Sequence, residues 1–158
     1  MERFIGRTDE LKKLNELYET EGFHKAVIYG RRRIGKSTLI TKFIQGKKAI
    51  YYMATKVGTP RNVELLSREV LAVLAPRMTG VAFQKLEDLL SFVSAQTADE
   101  KIVFVIDEIP YWAEKDENVL SVFQKYVDGD WAKKNMLFIL CGSALSFMED
   151  KVVSEKSP

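Results

Sequence analysis

Residues 28–39 read "IYGRRRIGKSTL", and the interpretation of this stretch decides how the rest of the chain is read. Gly30, Gly35, Lys36 and Ser37 fill the spacing G-x-x-x-x-G-K-[ST], the phosphate-loop or Walker A pattern. With glycine at about 7% of ordinary sequences and the other types at a few percent, a chance match in a chain of this length is on the order of one in a few hundred. The flanks argue the same way. "KAVIY" just before the loop is a short apolar run that predicts a strand, and "KSTLITKFIQ" resumes at helical spacing. A strand delivers such a loop, its glycines let backbone N–H groups close around phosphate, and a helix N-terminus faces the charge. The plainer alternative, a glycine-bounded turn before an ordinary helix, leaves that coincidence of context unexplained. In this pattern Lys36 bridges the β- and γ-phosphates of a nucleotide, the Ser37 hydroxyl ligates Mg2+, and the Thr38 N–H reaches the α-phosphate.

Upstream of the loop, Thr8 is placed to cap a helix carrying Leu11, Leu14, Leu17 and Tyr18 on one face, with Gly22 ending it. Downstream, "AIYYMA" reads as a second strand. Pro60 opens a helix with Val63, Leu66, Val70, Leu71 and Leu74 on one face before Pro76, and residues 82–96 predict another. "KIVFVIDEIP" is the kind of continuous apolar run that a parallel strand buried on both faces requires. "NVLSVFQKYV" is helical in pattern and "NMLFILCGS" is a fourth buried strand. Strands alternating with helices predict an open, mostly parallel α/β sheet in one domain. There is no internal repeat, low-complexity tract or linker, and the polar end "EDKVVSEKSP" supplies no closing element.

Three further residues, at two strand ends, complete a chemical constellation. The third strand ends in Asp107, followed by Glu108, at the carboxyl end where open α/β sheets bind their ligands. Asp107 is placed to hold Mg2+ through water, and Glu108 to polarise the attacking water as general base. The fourth strand ends in "LCGS", which puts Ser143 within reach of the γ-phosphate or the water. The catalytic candidates are therefore Glu108, Lys36 and Ser143, and the metal candidates Ser37 and Asp107. A guanine-reading [NT]-K-x-D is missing, since neither "TKFI" nor "TKVG" carries the aspartate, and the extra strands "AIYYM" and "NMLFILC" argue against a small-molecule kinase.

Composition sets the outer limits. In 158 residues, 46% hydrophobic, 24 Lys and Arg stand against 22 Asp and Glu, and a net charge of +2 makes no basic field that by itself indicates nucleic acid. The single Cys141, within "MLFILCG", precludes an internal disulfide and reads as a small buried hydrophobe. No apolar run approaches a membrane span and "MERFIGRTDE" lacks a signal-peptide core, so the expectation is a cytoplasmic protein without a membrane partner. Lys47 and Lys48, and Lys133 and Lys134, are read as solvated loop charges, and Trp112 as a packing residue at the sheet end.

"FIGRTDELKKL", "VIYGRRRIGKSTLI", "IDEIPYW" and "ILCGSALSFME" together resemble the archaeal and bacterial ATPase family related to AAA+ and signal-transduction ATPases. The resemblance implies a P-loop NTPase three-layer sandwich with strand order 5-1-4-3-2, counted from "KAVIY" as first. It implies Ile5, Gly6 and Arg7 as contacts on the base side of ATP or ADP. Arg31, Arg32 and Arg33 take variable loop positions, so that Gly30, Arg33, Ile34 and Gly35 serve the nucleotide through their backbone while the arginine side chains point outward. Family members continue into a further arginine, a fifth strand and a helical lid. Residues 1–158 accordingly read as the N-terminal part of a longer ATPase domain, with weak turnover by itself. The missing fifth strand should leave the "KAVIY" edge open to self-association or to pairing with the C-terminal tail.

The reading is a Mg2+-dependent ATPase that acts as a nucleotide-dependent switch. Two alternatives stay open: a nucleotide-gated DNA-binding module whose DNA contacts lie past Pro158, and a nucleotide-binding scaffold without hydrolysis.

Overall fold

The computed structural model describes residues 2–4, 8–30, 35–78, 80–97, 99–143 and 147–153. In chain order these form β1 (Glu2–Phe4), α1 (Thr8–Glu19), β2 (Phe23–Tyr29), α2 (Lys36–Ile44), β3 (Ala49–Met53) and α3 (Thr59–Leu74). There follow α4 (Leu86–Gln96), β4 (Ile102–Asp107), α5 (Ile109–Lys115), α6 (Val119–Asp128) and β5 (Met136–Gly142). Short 3-10 turns at Pro76–Met78 and Asp130–Lys133 and a π-helical turn at Met148–Val153 complete the described chain.

All strands pair in parallel, in the order β1-β2-β5-β4-β3. Every residue of β4 and β5 is buried, because helices cover both faces. Strand periodicity sorts the side chains between the two faces. Ile102, Phe104, Ile106, Met136, Phe138 and Leu140 point into a core closed by α3 to α6, with Trp112, Phe123 and Trp131 packed ring to ring. Val103, Val105, Leu137, Ile139 and Cys141 point to the opposite face, under Leu14 of α1 and Leu39, Ile40 and Phe43 of α2. The result is the three-layer α/β sandwich of a P-loop NTPase domain, and the four strands expected from sequence stand in the expected order, β2-β5-β4-β3.

The "KAVIY" edge departs from expectation. β1 lies against it in register Glu2↔Ala26, Arg3↔Val27 and Phe4↔Ile28, so the N-terminal residues take the place next to β2 that was expected to stand open. The motive for self-association or tail pairing along that edge is thereby removed. A three-residue strand has too few positions to show a period of two, which is why the pattern did not reveal it.

Other differences are local. The helix expected over 82–96 begins at Leu86, because Gly80 adopts φ 99° and Lys85 is extended. Pro110 sits in the first turn of α5, a seven-residue helix with no discernible period of its own. The segment near the C-terminus closes against the core through buried Met148 and Val152, where no closing element was expected. Lys47 is not simply solvated: its Nζ donates to the Phe43 carbonyl at 2.7 Å and lies over the Phe43 and Tyr18 rings. Trp112 is fully buried, edge-on to Tyr52 and Phe123, as a packing residue should be. No described helix is long and apolar enough to cross a membrane.

Candidate functional site

Three neighbouring strands end at one place. Tyr29 pairs with Gly142 at the end of β2 and β5, and Ile106 pairs with Leu140 one residue before Asp107. From there β2 leads to α2 on one face while β4 leads to α5 on the other, so the chain opens a crevice at the carboxyl ends. Gly30 and Gly35 bound the loop entering α2 with φ of 141° and 76°, backbone that L side chains rarely adopt. Residues 31–34 between them, with Arg31, Arg32, Arg33 and Ile34, lie outside the described residues, as do Ile5, Gly6 and Arg7.

Lys36 opens α2 and is 4% exposed. Its ammonium donates to Ser143 Oγ at 3.1 Å. The Ser143 hydroxyl in turn donates to Glu108 Oε2 at 2.9 Å, and the Ser143 N–H donates to Glu108 Oε1 at 3.0 Å. A hydroxyl has one proton, so accepting from lysine and donating to glutamate fixes its orientation. Glu108 is the one non-glycine residue at positive φ among those described, 52°, a conformation costing on the order of 1–3 kcal/mol that surrounding structure must sustain. Here the strain turns the chain from strand to helix and aims the carboxylate across the crevice at Ser143.

Asp107 is 1% exposed. Its Oδ1 accepts the Glu108 N–H at 2.8 Å and its Oδ2 accepts the Tyr51 hydroxyl at 2.5 Å. Burial, followed by the hydrogen bond to Asp107 and its charge, drives the Tyr51 phenol far above its ordinary range. Burial also pushes the Cys141 thiol up, with Asp107 adding to that and Lys36 opposing it. Tyr51 is the participant that sequence reasoning missed. A signal existed: once β3 is known to lie beside β4, the register Met53↔Asp107 puts Tyr51 two residues back on the same face. Strand order is not readable from Tyr51 itself.

Gly142 makes the close approach possible. A Cβ there would stand 2.8 Å from Cγ and Cδ of Pro110 and 2.6 Å from Sδ of Met148. Ser37 and Thr38 are exposed on the first turn of α2, where no side chain caps the helix. The first turn of a helix carries N–H groups that suit an anion.

These groups suit a polyphosphate with a hard divalent cation. A buried ammonium and an uncapped helix start serve the anion, while carboxylate and hydroxyl oxygens serve the cation. Among the described residues no cluster of three or more His, Cys, Asp or Glu exists to hold a metal.

Fold and crevice together define a nucleotide-binding domain of the P-loop class. The chain belongs to the family described as an ATPase domain predominantly from Archaea, whose model matches residues 4–158. It is 35% identical over 155 residues to the uncharacterized protein MJECL04 of Methanocaldococcus jannaschii, covering 98% of this chain and 33% of that protein. The chain thus spans about a third of that relative's length. Among solved structures, Drosophila ORC bound to DNA superposes with a TM-score of 0.68 at 18% identity, over 85% of this chain and 37% of that one. The Aeropyrum pernix ORC2 protein, in ADPNP-ADP complexes, gives 0.56 at 19% identity, over 96% and 45%. At such identities the two structures speak for the fold alone.

Proposed function

We propose that this chain binds ATP and ADP with magnesium in the crevice at the ends of β2, β4 and β5, hydrolyses ATP to ADP and phosphate, and acts as a nucleotide-dependent switch. The observation that carries the reading is the chain of contacts from Lys36 through Ser143 to Glu108, beside Asp107. It brings four candidates together from three separate stretches of sequence. The Aeropyrum pernix ORC2 protein, which shares the fold, was solved in ADPNP-ADP complexes, and the same ligand class is proposed for this chain.

In this reading Lys36 and the backbone from Gly30 to Gly35 hold the phosphates, and the Thr38 N–H adds a donor at the start of α2. Arg33 and Ile34 contribute backbone, and Ile5, Gly6 and Arg7 face the base. Ser37 and Asp107 hold the magnesium, which when bound neutralises charge on the phosphate oxygens. Glu108 takes the proton of the attacking water. Ser143 orients that carboxylate and lies between it and the lysine, so a change at the terminal phosphate is felt on β5 and on α5 together. That is the physical basis of the switch.

The test is phosphate release with magnesium, alongside nucleotide binding. Glu108→Gln keeps the shape but removes the base, so affinity should persist while turnover falls about a hundredfold or more. Undiminished turnover in Glu108→Gln would reject the base assignment, and no release from the parent protein would favour a scaffold. The DNA-bound Drosophila ORC shares the fold, which keeps a nucleotide-gated DNA-binding module as the second reading. It requires nucleotide-dependent DNA binding that weakens steeply with salt.

A further inference from the structure

β3 carries two adjacent tyrosines whose hydroxyls do different work on opposite faces of the sheet. Tyr52 donates to Asn62 Oδ1 at 2.5 Å, within a buried cluster that also ties down the Thr55 and Gly58 backbone. Tyr51 donates at the same distance to Asp107 Oδ2. The first bond belongs to the packing of the loop after β3. The second reaches from the edge strand into the crevice and touches a buried carboxylate that has its other oxygen taken by the Glu108 N–H. Both oxygens of Asp107 are therefore oriented from fixed directions, one by its own chain and one by Tyr51.

We propose that Tyr51 is a positioning residue for magnesium: it holds the Asp107 carboxylate in the one orientation in which a cation beside the phosphate loop is served. The proposal rests on the reading of Asp107 given above and extends it to a strand that carries none of the sequence motifs. A carboxylate pinned on one oxygen by a neutral donor keeps its remaining lone pairs directed, without having to be ordered when the cation arrives. Outer partners of this kind typically set metal affinity by about 10- to 100-fold. Tyr51 can do this because the parallel register Met53↔Asp107 places it two residues back on Asp107's own face. The backbone bond from Ala54 N to Asp107 O, 2.8 Å, locks the two strands together at that point.

The experiment measures the magnesium concentration at the midpoint of the added thermal stabilisation in protein saturated with the imido analogue of ATP. Nucleotide-induced stabilisation in EDTA is recorded beside it. Four proteins are compared: the parent, Tyr51→Phe, Tyr52→Phe and Asp107→Ala. The expected result is a magnesium midpoint raised about tenfold or more in Tyr51→Phe, with the EDTA stabilisation kept. Tyr52→Phe should lower the melting temperature of the free protein and leave the midpoint where it was.

A midpoint within twofold of the parent in Tyr51→Phe, while Asp107→Ala shifts it, overturns the role of Tyr51 and leaves the site reading intact. Equal shifts in both tyrosine variants also overturn it, since general loosening of β3 then accounts for the effect. An unshifted midpoint in Asp107→Ala removes the metal assignment and this proposal with it. Should Tyr51→Phe fold poorly, 3-fluorotyrosine placed at position 51 keeps the hydroxyl and reports directly. Its fluorine resonance should move when magnesium is added to the nucleotide complex, and a resonance that stays put refutes the proposal.

Discussion

Gly142→Ala adds one methyl group at the point where the strand bearing Ser143 meets the helix that follows Glu108. The new Cβ falls 2.6 Å from Met148 Sδ and 2.8 Å from both Cγ and Cδ of Pro110, against an ordinary carbon contact of about 3.5–4.0 Å. The Met148 side chain is flexible and can turn away. Pro110 cannot, because its ring is fixed to the backbone in the first turn of α5, two residues after Glu108. The strain is therefore relieved by separating β5 from α5. Overpacking of this kind costs about 1–3 kcal/mol, and at about 2–4 °C per kcal/mol for a domain of this size the melting temperature should fall by about 2–12 °C. The same separation stretches the two bonds from Ser143 to Glu108, now 3.0 and 2.9 Å, so turnover should suffer more than ADP affinity. Thermal unfolding, phosphate release and ADP titration measure the three effects. Met148→Ala in the Gly142→Ala background should not restore the stability, since the proline contacts remain and truncating the buried Met148 leaves a cavity. A Gly142→Ala protein melting within about 1 °C of the parent, with equal turnover, would refute the argument from close packing.

Lys36→Ala should abolish most of the stabilisation by ATP or ADP, which at about 100 times the dissociation constant amounts to about 2.7 kcal/mol; an unchanged shift in a folded variant would contradict the phosphate-loop assignment. Asn62 is fully buried, with its carbonyl oxygen accepting from Tyr52 and Thr55 and its amide donating to the Thr55 and Gly58 carbonyls. Asn62→Ala strands several of these groups at about 1–3 kcal/mol for each left unsatisfied, and denaturant unfolding showing a loss below about 1 kcal/mol would count against that cluster. Burial brings the Lys25 ammonium down from 10.5 to about 8, with Asp128 opposing. The folded value lies below the unfolded one, so between about pH 8 and 10.5 the unfolded chain binds more protons and stability rises with pH. In Lys25→Met that rise is lost, and the melting temperature of the variant minus that of the parent should decline across the window; a pH-independent difference would exclude the buried charge as its source.

The strand, bounding glycines and helix start that flank residues 31–34 were legible because their requirements are local. Two glycines that permit positive φ, a lysine at the first position of a helix and a hydroxyl after it are neighbours in sequence as well as in space. The buried strands β4 and β5 were legible for a related reason, since a segment covered on both faces must be apolar throughout, and that shows in a run of six or seven residues. Even Asp107 and Glu108 follow from such a run, because its end marks the rim of the sheet. What the sequence left open was which rim residues touch. Glu108 meets Ser143 across 35 residues and Tyr51 meets Asp107 across 56. Each contact depends on β5 lying between β2 and β4, on β3 lying outside β4, and on the register of their pairing. The choice of β1 as the strand that covers "KAVIY" is of the same kind, because three residues carry no pattern, and their place is decided by the N–H and C=O groups that β2 presents. Short-range sterics and hydrophobicity are written along the chain, whereas hydrogen-bond partners on other strands exist only once the sheet has assembled.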